Sequence, residues 1–443
     1  MKGATPAEGV RGIRGGRVLT PGGFVEADLR IDEEGRIEAV ERGACEGLPE
    51  TQVVDARGLE VRPGAIDVHV HLLEKQGRYR SAEDASLLAR AALENGVTTI
   101  AIFATAPRGG SIREAVRARE AQMREEAGRI HWTLHLTPRR WTARTFEDLE
   151  LLARQGLRRV KLYTTYRRQG LQVSYRRMGT ILRRLAAMDF TVLVHCEDPA
   201  VLERADAGVP GVAGPGDHPR LRPPEAEVEA AGRVAALALA TGCRVHVVHV
   251  SHPDTVDVLV RFREMGAPLT WETALHYLVF DEGSYRGEHG GELLCTPPFR
   301  SPEAREGLFR RLREGRIDML ASDHCPFVVA DKAGGDPRRA AMGIPGVGAL
   351  GTVAVEWLER QAGVAPEQVH RWISEEPARL LGLWPQKGAI RPGADADLVL
   401  WERLERPERA WSTLAPVADP WRHFPLTRRP RLVIRGQSPV YID

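Results

Sequence analysis

Eight short apolar runs, rich in β-branched residues, alternate with stretches of helical period along the middle of this chain. They fall at 65–70, 97–103, 130–136, 159–163, 190–195, 244–250, 267–272 and 317–322. Runs this short and this apolar suit strands buried on both faces, the condition a parallel sheet imposes. Ser81-Ala82-Glu83-Asp84 and Thr145-Phe146-Glu147-Asp148 open two of the intervening helices in capping-box style, and Asn95-Gly96 and Gln155-Gly156 close them. Eight βα units over about 320 residues predict an α/β fold of the (β/α)8 TIM-barrel class rather than an open doubly wound sheet. No glycine-rich phosphate fingerprint follows any strand, which disfavours a dinucleotide site.

The two ends read differently. Residues 12–61 hold β-like runs at 13–19, 24–31, 37–40 and 52–54, broken by Pro21-Gly22-Gly23 and Glu33-Glu34-Gly35. The pattern resumes at Gly393-Ala394-Asp395-Ala396-Asp397, ahead of Leu398-Val399-Leu400-Trp401, and again at 431–436. One small β-sandwich accessory domain built from both termini accounts for this. The expected division is 1–61 accessory, 62–385 barrel, and 386–443 accessory with a tail.

A chain of 443 residues buries roughly three quarters of its unfolded surface, so it needs neither disulfide nor metal to fold, and any metal serves chemistry. Sixty-two basic against sixty acidic residues leave a formal charge of +2, too balanced for nucleic acid or an anionic membrane surface. The five cysteines, Cys45, Cys196, Cys243, Cys295 and Cys325, are odd in number and scattered. They suggest neither a disulfide framework nor a thiolate zinc site, and fit a reducing cytosol. Residues 1–10 lack the charge pattern of a leader, and no apolar run approaches the ~18 residues of a membrane span, so a cytoplasmic location is expected.

An active site on such a barrel sits at the C-terminal ends of the strands. The first run ends Asp67-Val68-His69-Val70-His71, the fourth holds Lys161, the fifth ends at His195, the sixth contains His249, and the eighth ends Ser322-Asp323. His69 and His71 stand at i and i+2, hence on one face, and can grip one ion together. Imidazole and carboxylate are ligands for zinc and similar first-row ions. An ammonium among such groups is repelled and desolvated, so Lys161 either loses its charge, reaches a carboxylate, or carries a modification. A carbamate formed with carbon dioxide would reverse its charge and present two oxygens, enough to bridge two metals.

These segments resemble a known family. Pro63-Gly64-Ala65-Ile66-Asp67-Val68-His69-Val70-His71, Lys161-Leu162-Tyr163-Thr164-Thr165-Tyr166, Val194-His195-Cys196-Glu197-Asp198, Val248-His249-Val250-Ser251 and Ser322-Asp323-His324-Cys325-Pro326-Phe327 look like the cyclic amidohydrolases. That group includes dihydropyrimidinase, hydantoinase, allantoinase and dihydroorotase. The segment 388–399 is similar to the strand that returns to the accessory sheet, and the likeness runs in order from about 12 to 402.

The resemblance implies two divalent ions per chain, zinc first, with manganese, cobalt or nickel as alternatives, and a carboxylated Lys161. His69, His71 and Asp323 would hold one ion, His195 and His249 the other, with Lys161 bridging. Asp323 would also carry the proton from water to the departing nitrogen. Tyr166, five after the lysine, matches the tyrosine of hydantoinases and dihydropyrimidinases and would donate to the oxyanion. Thr296, in Cys295-Thr296-Pro297-Pro298, is nominated for the substrate's ring amide.

Met342-Gly343-Ile344-Pro345-Gly346 departs from the usual asparagine-glycine, with Met342 offering its backbone carbonyl to the ring instead. The expected reaction is hydrolysis of a small cyclic ureide or imide to an N-carbamoyl amino acid. Allantoinase or another cyclic amidase is an alternative. Leu72-Leu73-Glu74 after His71 offers no arginine for a dihydroorotate carboxylate. A non-catalytic scaffold is the remaining reading, disfavoured because all six ligand positions are filled. A homo-oligomer, dimer or tetramer, is expected. His131, His135 and His246 read as structural, Cys196 and Cys325 as packing residues, His276 as a lining residue, and Asp67 as support for the histidine pair.

Overall fold

A computed structural model describes residues 9–128, 130–332 and 335–442. Most of the segment 1–10, on which the leader was judged absent, and the last residue of the tail lie outside the described residues.

The N-terminal strands β1 (Gly12–Thr20), β2 (Gly23–Ile31), β3 (Ile37–Glu41), β4 (Val53–Asp55) and β5 (Glu60–Pro63) lead into the barrel. There follow β6 (Ala65–Val70), a two-strand hairpin of β7 (Lys75–Gln76) and β8 (Tyr79–Arg80), then β9 (Val97–Thr105), β10 (His131–Thr137), β11 (Arg159–Tyr163), β12 (Thr191–His195), β13 (Arg244–Val247), β14 (Leu269–Ala274) and β15 (Met319–Ala321). The chain ends in β16 (Asp397–Arg409), β17 (Pro425–Arg435) and β18 (Ser438–Tyr441).

β6 and β9 to β15 form one parallel sheet of eight strands in sequence order. Its ends are drawn together at the rim, where Val70 pairs in parallel with His324 and Ser322 N–H donates to Asp67 Oδ1 at 3.2 Å. This is the (β/α)8 barrel the alternation predicts. Asp67 is fully buried, and burial pushes its carboxyl up to about 7. It also accepts the His69 N–H, so it acts as a staple across the closure.

Two helix starts differ from the sequence reading. Asp84, not Ser81, caps the helix Ala85–Glu94, accepting from Leu87 N–H at 2.8 Å. Thr142 and Thr145 form the reciprocal capping box of Ala143–Ala153. In both places the side-chain oxygen of the residue just before the helix accepts from its first turn, which is what a cap requires, while Ser81 Oγ accepts from Glu74 N–H. The stops are as expected, with Gly96 and Gly156 at positive φ.

Strands from both termini join in one hydrogen-bonded sheet, ordered β18-β17-β16-β5-β1-β2-β3, with β4 on β1. The strands of the expected sandwich are thus hydrogen-bonded in one continuous path. A bulge between Ile13 and Gly16 turns β1, so its first half pairs with β4 and its second with β5. The sheet encloses a small core that includes Ile13, Leu29, Val61, Leu398 and Ile434. Arg62, fully buried on β5, fixes this sheet to the barrel through a bidentate pair with Glu359 at 2.6 and 3.0 Å.

Candidate metal centre

His69 and His71 stand at and just past the end of β6, and alternation along the strand aims both inward. Asp323 enters from beyond β15. Its Oδ1 lies 3.3 Å from His69 Nε2 and 3.4 Å from His71 Nε2. Donors held about 2.0–2.2 Å from a tetrahedral ion are themselves roughly 3.3–3.5 Å apart, so this triad is spaced for one divalent cation. His69 Nε2 is buried without a hydrogen-bond partner. Burial opposes ionisation of Asp323, yet the His69 and His71 rings bring its carboxyl down to about 2.

A second pair of donors adjoins the first. His195 Nδ1, at the end of β12, lies 2.9 Å from His249 Nε2, just past β13. The His249 ring is centred 5.3 Å from that of His69, so the two groups are contiguous. Lys161, inside β11, is 1% exposed, and its Nζ has no hydrogen-bond partner. The nitrogen lies over the Phe103 and Tyr163 rings, at 5.2 and 5.4 Å, and lines the same cavity as the histidines and Asp323. Burial lowers this amine to about 8. Two histidines alone make a poor cation site.

Buried carboxylates orient these rings. Glu272, on β14, accepts from His69 Nδ1 at 2.5 Å and from the His249 N–H at 3.4 Å, and its other oxygen meets His246 Nε2 at 3.0 Å. A proton held on His69 Nδ1 leaves the Nε2 lone pair free for a cation. On the other side His195 Nε2 donates to Glu197 at 2.7 Å, and Arg222 pairs with the same carboxylate. This directs His195 Nδ1 toward His249. His324, beside Asp323, is held by Glu83 at 2.5 Å, and its Nδ1 accepts the Gly346 and Val347 N–H groups.

Backbone strain marks the same place. Five non-glycine residues among those described have positive φ, and Tyr166 (69°), His249 (40°) and Asp323 (49°) are three of them. L-residues avoid this region, and the packing around a site is what holds them in it. The turn at His249 also explains why β13 stops at Val247, short of the apolar run.

Tyr166 and Thr296 share a hydrogen bond of 2.7 Å between their hydroxyls. Burial raises the Tyr166 phenol well above its usual value, so it stays a donor. Both line a cavity of about 690 Å³ whose wall includes all six candidate ligands. Met342 lines it too, but its carbonyl and N–H are both engaged by the Gln76 side-chain amide, at 2.6 and 2.9 Å. One of the two lone pairs of the carbonyl assigned to the ring is thus in use.

Other expectations change. His246 is not merely structural, since it shares Glu272 with His69. Cys325 packs with Phe327 and Ala341 as expected, and it also reaches the cavity wall. His276 lies behind the wall rather than in it, packed on Tyr277 and Phe299 with both ring nitrogens unpartnered. His135 Nε2 donates to the Val68 carbonyl at 2.9 Å, and Cys196 is buried in the apolar core. Sequence reasoning missed Glu272, Arg222 and Gln76, and gave Glu197 no role. Glu272 ends the seventh apolar run and Glu197 follows His195 by two, so both carried the signal of a polar residue at a strand end.

The model of the amidohydrolase family matches residues 61–423, most of the chain. This chain belongs to the amidohydrolase family. The amidohydrolase is 31% identical over 421 residues to the D-phenylhydantoinase of Escherichia coli O9:H4 (strain HS), covering 93% of this chain and 90% of that one. Its fold matches the D-hydantoinase of Bacillus sp. AR9 with a TM-score of 0.89 at 29% identity, over 98% of this chain and 95% of that one. The dihydropyrimidinase of Brevibacillus agri NCHU1002 gives a TM-score of 0.89 at 28% identity, over 97% and 95%. The histidine and carboxylate donors fit the metal dependence of this family. No helix among the described residues is long and apolar enough to cross a membrane.

Proposed function

We propose that this amidohydrolase opens a five- or six-membered cyclic ureide or imide, a hydantoin or dihydropyrimidine, to an N-carbamoyl amino acid. What supports the reading above all is the meeting of two donor groups, His69, His71, Asp323 and His195, His249, on one wall with Lys161. The first group would hold one divalent ion and the second another, with a Lys161 carbamate between them. Zinc is the first choice. An amine lowered to about 8 has an unprotonated fraction near neutral pH, as attack on carbon dioxide requires, and the reaction releases one proton. Bound there, the ions would supply an acidic water and polarise a ring carbonyl.

The protein's own residues carry the rest. Asp323, a carboxylate at neutral pH, takes the proton of the attacking water. Water oxygen adds to the ring carbonyl carbon, and the Tyr166 hydroxyl donates to the oxygen that becomes negative. Asp323 returns the proton to the ring nitrogen, the C–N bond breaks with the nitrogen leaving, and the carbonyl carbon becomes a carboxylic acid that gives its proton to solvent. Thr296 Oγ1 fixes the direction of the Tyr166 hydroxyl until substrate arrives.

The test joins metal stoichiometry and the mass of the Lys161 peptide, with carbon dioxide retained, to assays on hydantoin, dihydrouracil, allantoin and dihydroorotate. Two metals per chain, a carbamate mass, and turnover of hydantoin or dihydrouracil are expected. Turnover of allantoin alone, or a chain that takes up no metal, overturns the reading.

A further inference from the structure

The cavity has a roof built from two segments that clasp each other. The β7–β8 hairpin forms one side and residues 335–343 the other. Gln76 binds both backbone groups of Met342, and the Tyr79 hydroxyl donates to the Arg339 carbonyl. Arg78 Nη2 in turn donates to the Tyr79 hydroxyl at 2.7 Å. Side-chain amide to backbone bonds on both sides make this a formed surface rather than two loose loops.

Its charge is lopsided. Lys75, Arg78 and Arg339 line the cavity, are exposed, and have no carboxylate partner among the described residues. Arg338 also lines it but is neutralised by Asp336, at 2.8 Å. Glu74 is the lone lining carboxylate apart from Asp323. A chain with 62 basic and 60 acidic residues gives no such excess by composition. Apolar groups from Tyr79, Leu171 and Met342 line the same cavity. The donor groups stand at the strand ends and the cations on the two clasped segments of the same cavity, so what a ring carries beyond its scissile amide shares the space lined by these apolar groups and cations.

We propose that the roof selects cyclic substrates whose exocyclic substituent ends in a carboxylate or similar anion on a short apolar stem, with Lys75, Arg78 and Arg339 as the specificity-determining residues. This rests on the cyclic amidohydrolase reading above. Each exposed, solvent-screened charge contributes a factor of about two, and three together about tenfold. The preference weakens with salt, because the screening length falls from ~10 Å at 0.1 M to ~3 Å at 1 M.

The experiment compares kcat/KM of the metal-loaded protein for 5-(2-carboxyethyl)hydantoin and its uncharged isostere, 5-(2-carbamoylethyl)hydantoin. Binding of the matching ring-opened products is measured by calorimetry, which needs no turnover. About tenfold preference for the carboxylate is expected, shrinking at high salt and falling toward one or below in Lys75→Glu/Arg339→Glu. Equal rates on both rings, or a preference for the amide, overturn the proposal and leave the cyclic amidohydrolase reading standing. If neither ring is opened, the product affinities decide the charge preference alone, equal affinities overturn it, and the cyclic amidohydrolase reading is decided by the assays on hydantoin and dihydrouracil.

Discussion

Replacing Glu272 with glutamine removes one buried negative charge while leaving room for nearly every hydrogen bond. The glutamine oxygen can still accept from His69 Nδ1, and its NH2 can donate to His246 Nε2, provided His246 Nδ1 gives its proton to Thr270 Oγ1, 2.8 Å away. What is lost is charge assistance, which roughly doubles the strength of such a bond. Burial opposes ionisation of Glu272, but the His69 and His246 rings hold its carboxyl below the usual range, so the charge is present at working pH. Loss of an outer carboxylate behind a ligating histidine lowers metal affinity about 10–100-fold, or roughly 1.4–2.8 kcal/mol.

Alanine does something further. It strands His69 Nδ1 and His246 Nε2 in a buried site, at about 1–3 kcal/mol each. Chelator competition reads the affinity, and urea unfolding of the metal-free protein reads the fold. Glu272→Gln weakens metal binding with the apo fold nearly intact, whereas Glu272→Ala weakens both. Parental metal affinity in the glutamine variant would refute the orienting role, and equal apo stabilities would refute the account of stranded donors.

Three other outcomes follow from the same geometry. Lys161→Ala lowers metal content and activity, and short carboxylic acids restore part of both by standing in for the carbamate; full activity without them removes the bridge from the mechanism. Tyr166→Phe reduces kcat by about 10²–10³, as for loss of one oxyanion donor, with little change in KM; an unchanged kcat returns the tyrosine to packing. Burial lowers His276 to about 4, against ~6.5 in the unfolded chain. The unfolded state therefore binds the extra proton first. Stability of the metal-free protein is whole above about 6.5 and declines as pH falls toward 4, by about 2–3 kcal/mol from this group at pH 4.5. His276→Leu narrows the difference between urea midpoints at pH 7 and pH 4.5, and an unchanged difference sinks the assignment.

Local pattern carried far in this chain because a parallel barrel buries its strands on both faces. Every run is then conspicuously apolar, and a polar residue at its end stands out. His69, His71, Lys161, His195, His249 and Asp323 were visible for that reason, and the structure brings them to one wall. Helix starts were less legible. Asp84 and Thr142 are the caps, each three residues from the expected one, and the Ser81 hydroxyl instead accepts from Glu74 N–H, a partner that spacing alone does not reveal.

The amino-acid order by itself determined the barrel, the two-ended accessory sheet and the identity of the strand-end donors, since each follows from side-chain period and residue type over short stretches. Tertiary structure alone decided how those donors are aimed. Glu272 lies 203 residues from His69, and Gln76 lies 266 from Met342. Which carboxylate fixes a tautomer, which amide occupies a carbonyl, and which cations remain unpaired over the cavity depend on segments that meet only when the barrel closes. Hydrogen bonds and ion pairs act over a few ångströms of space, whatever the distance along the chain.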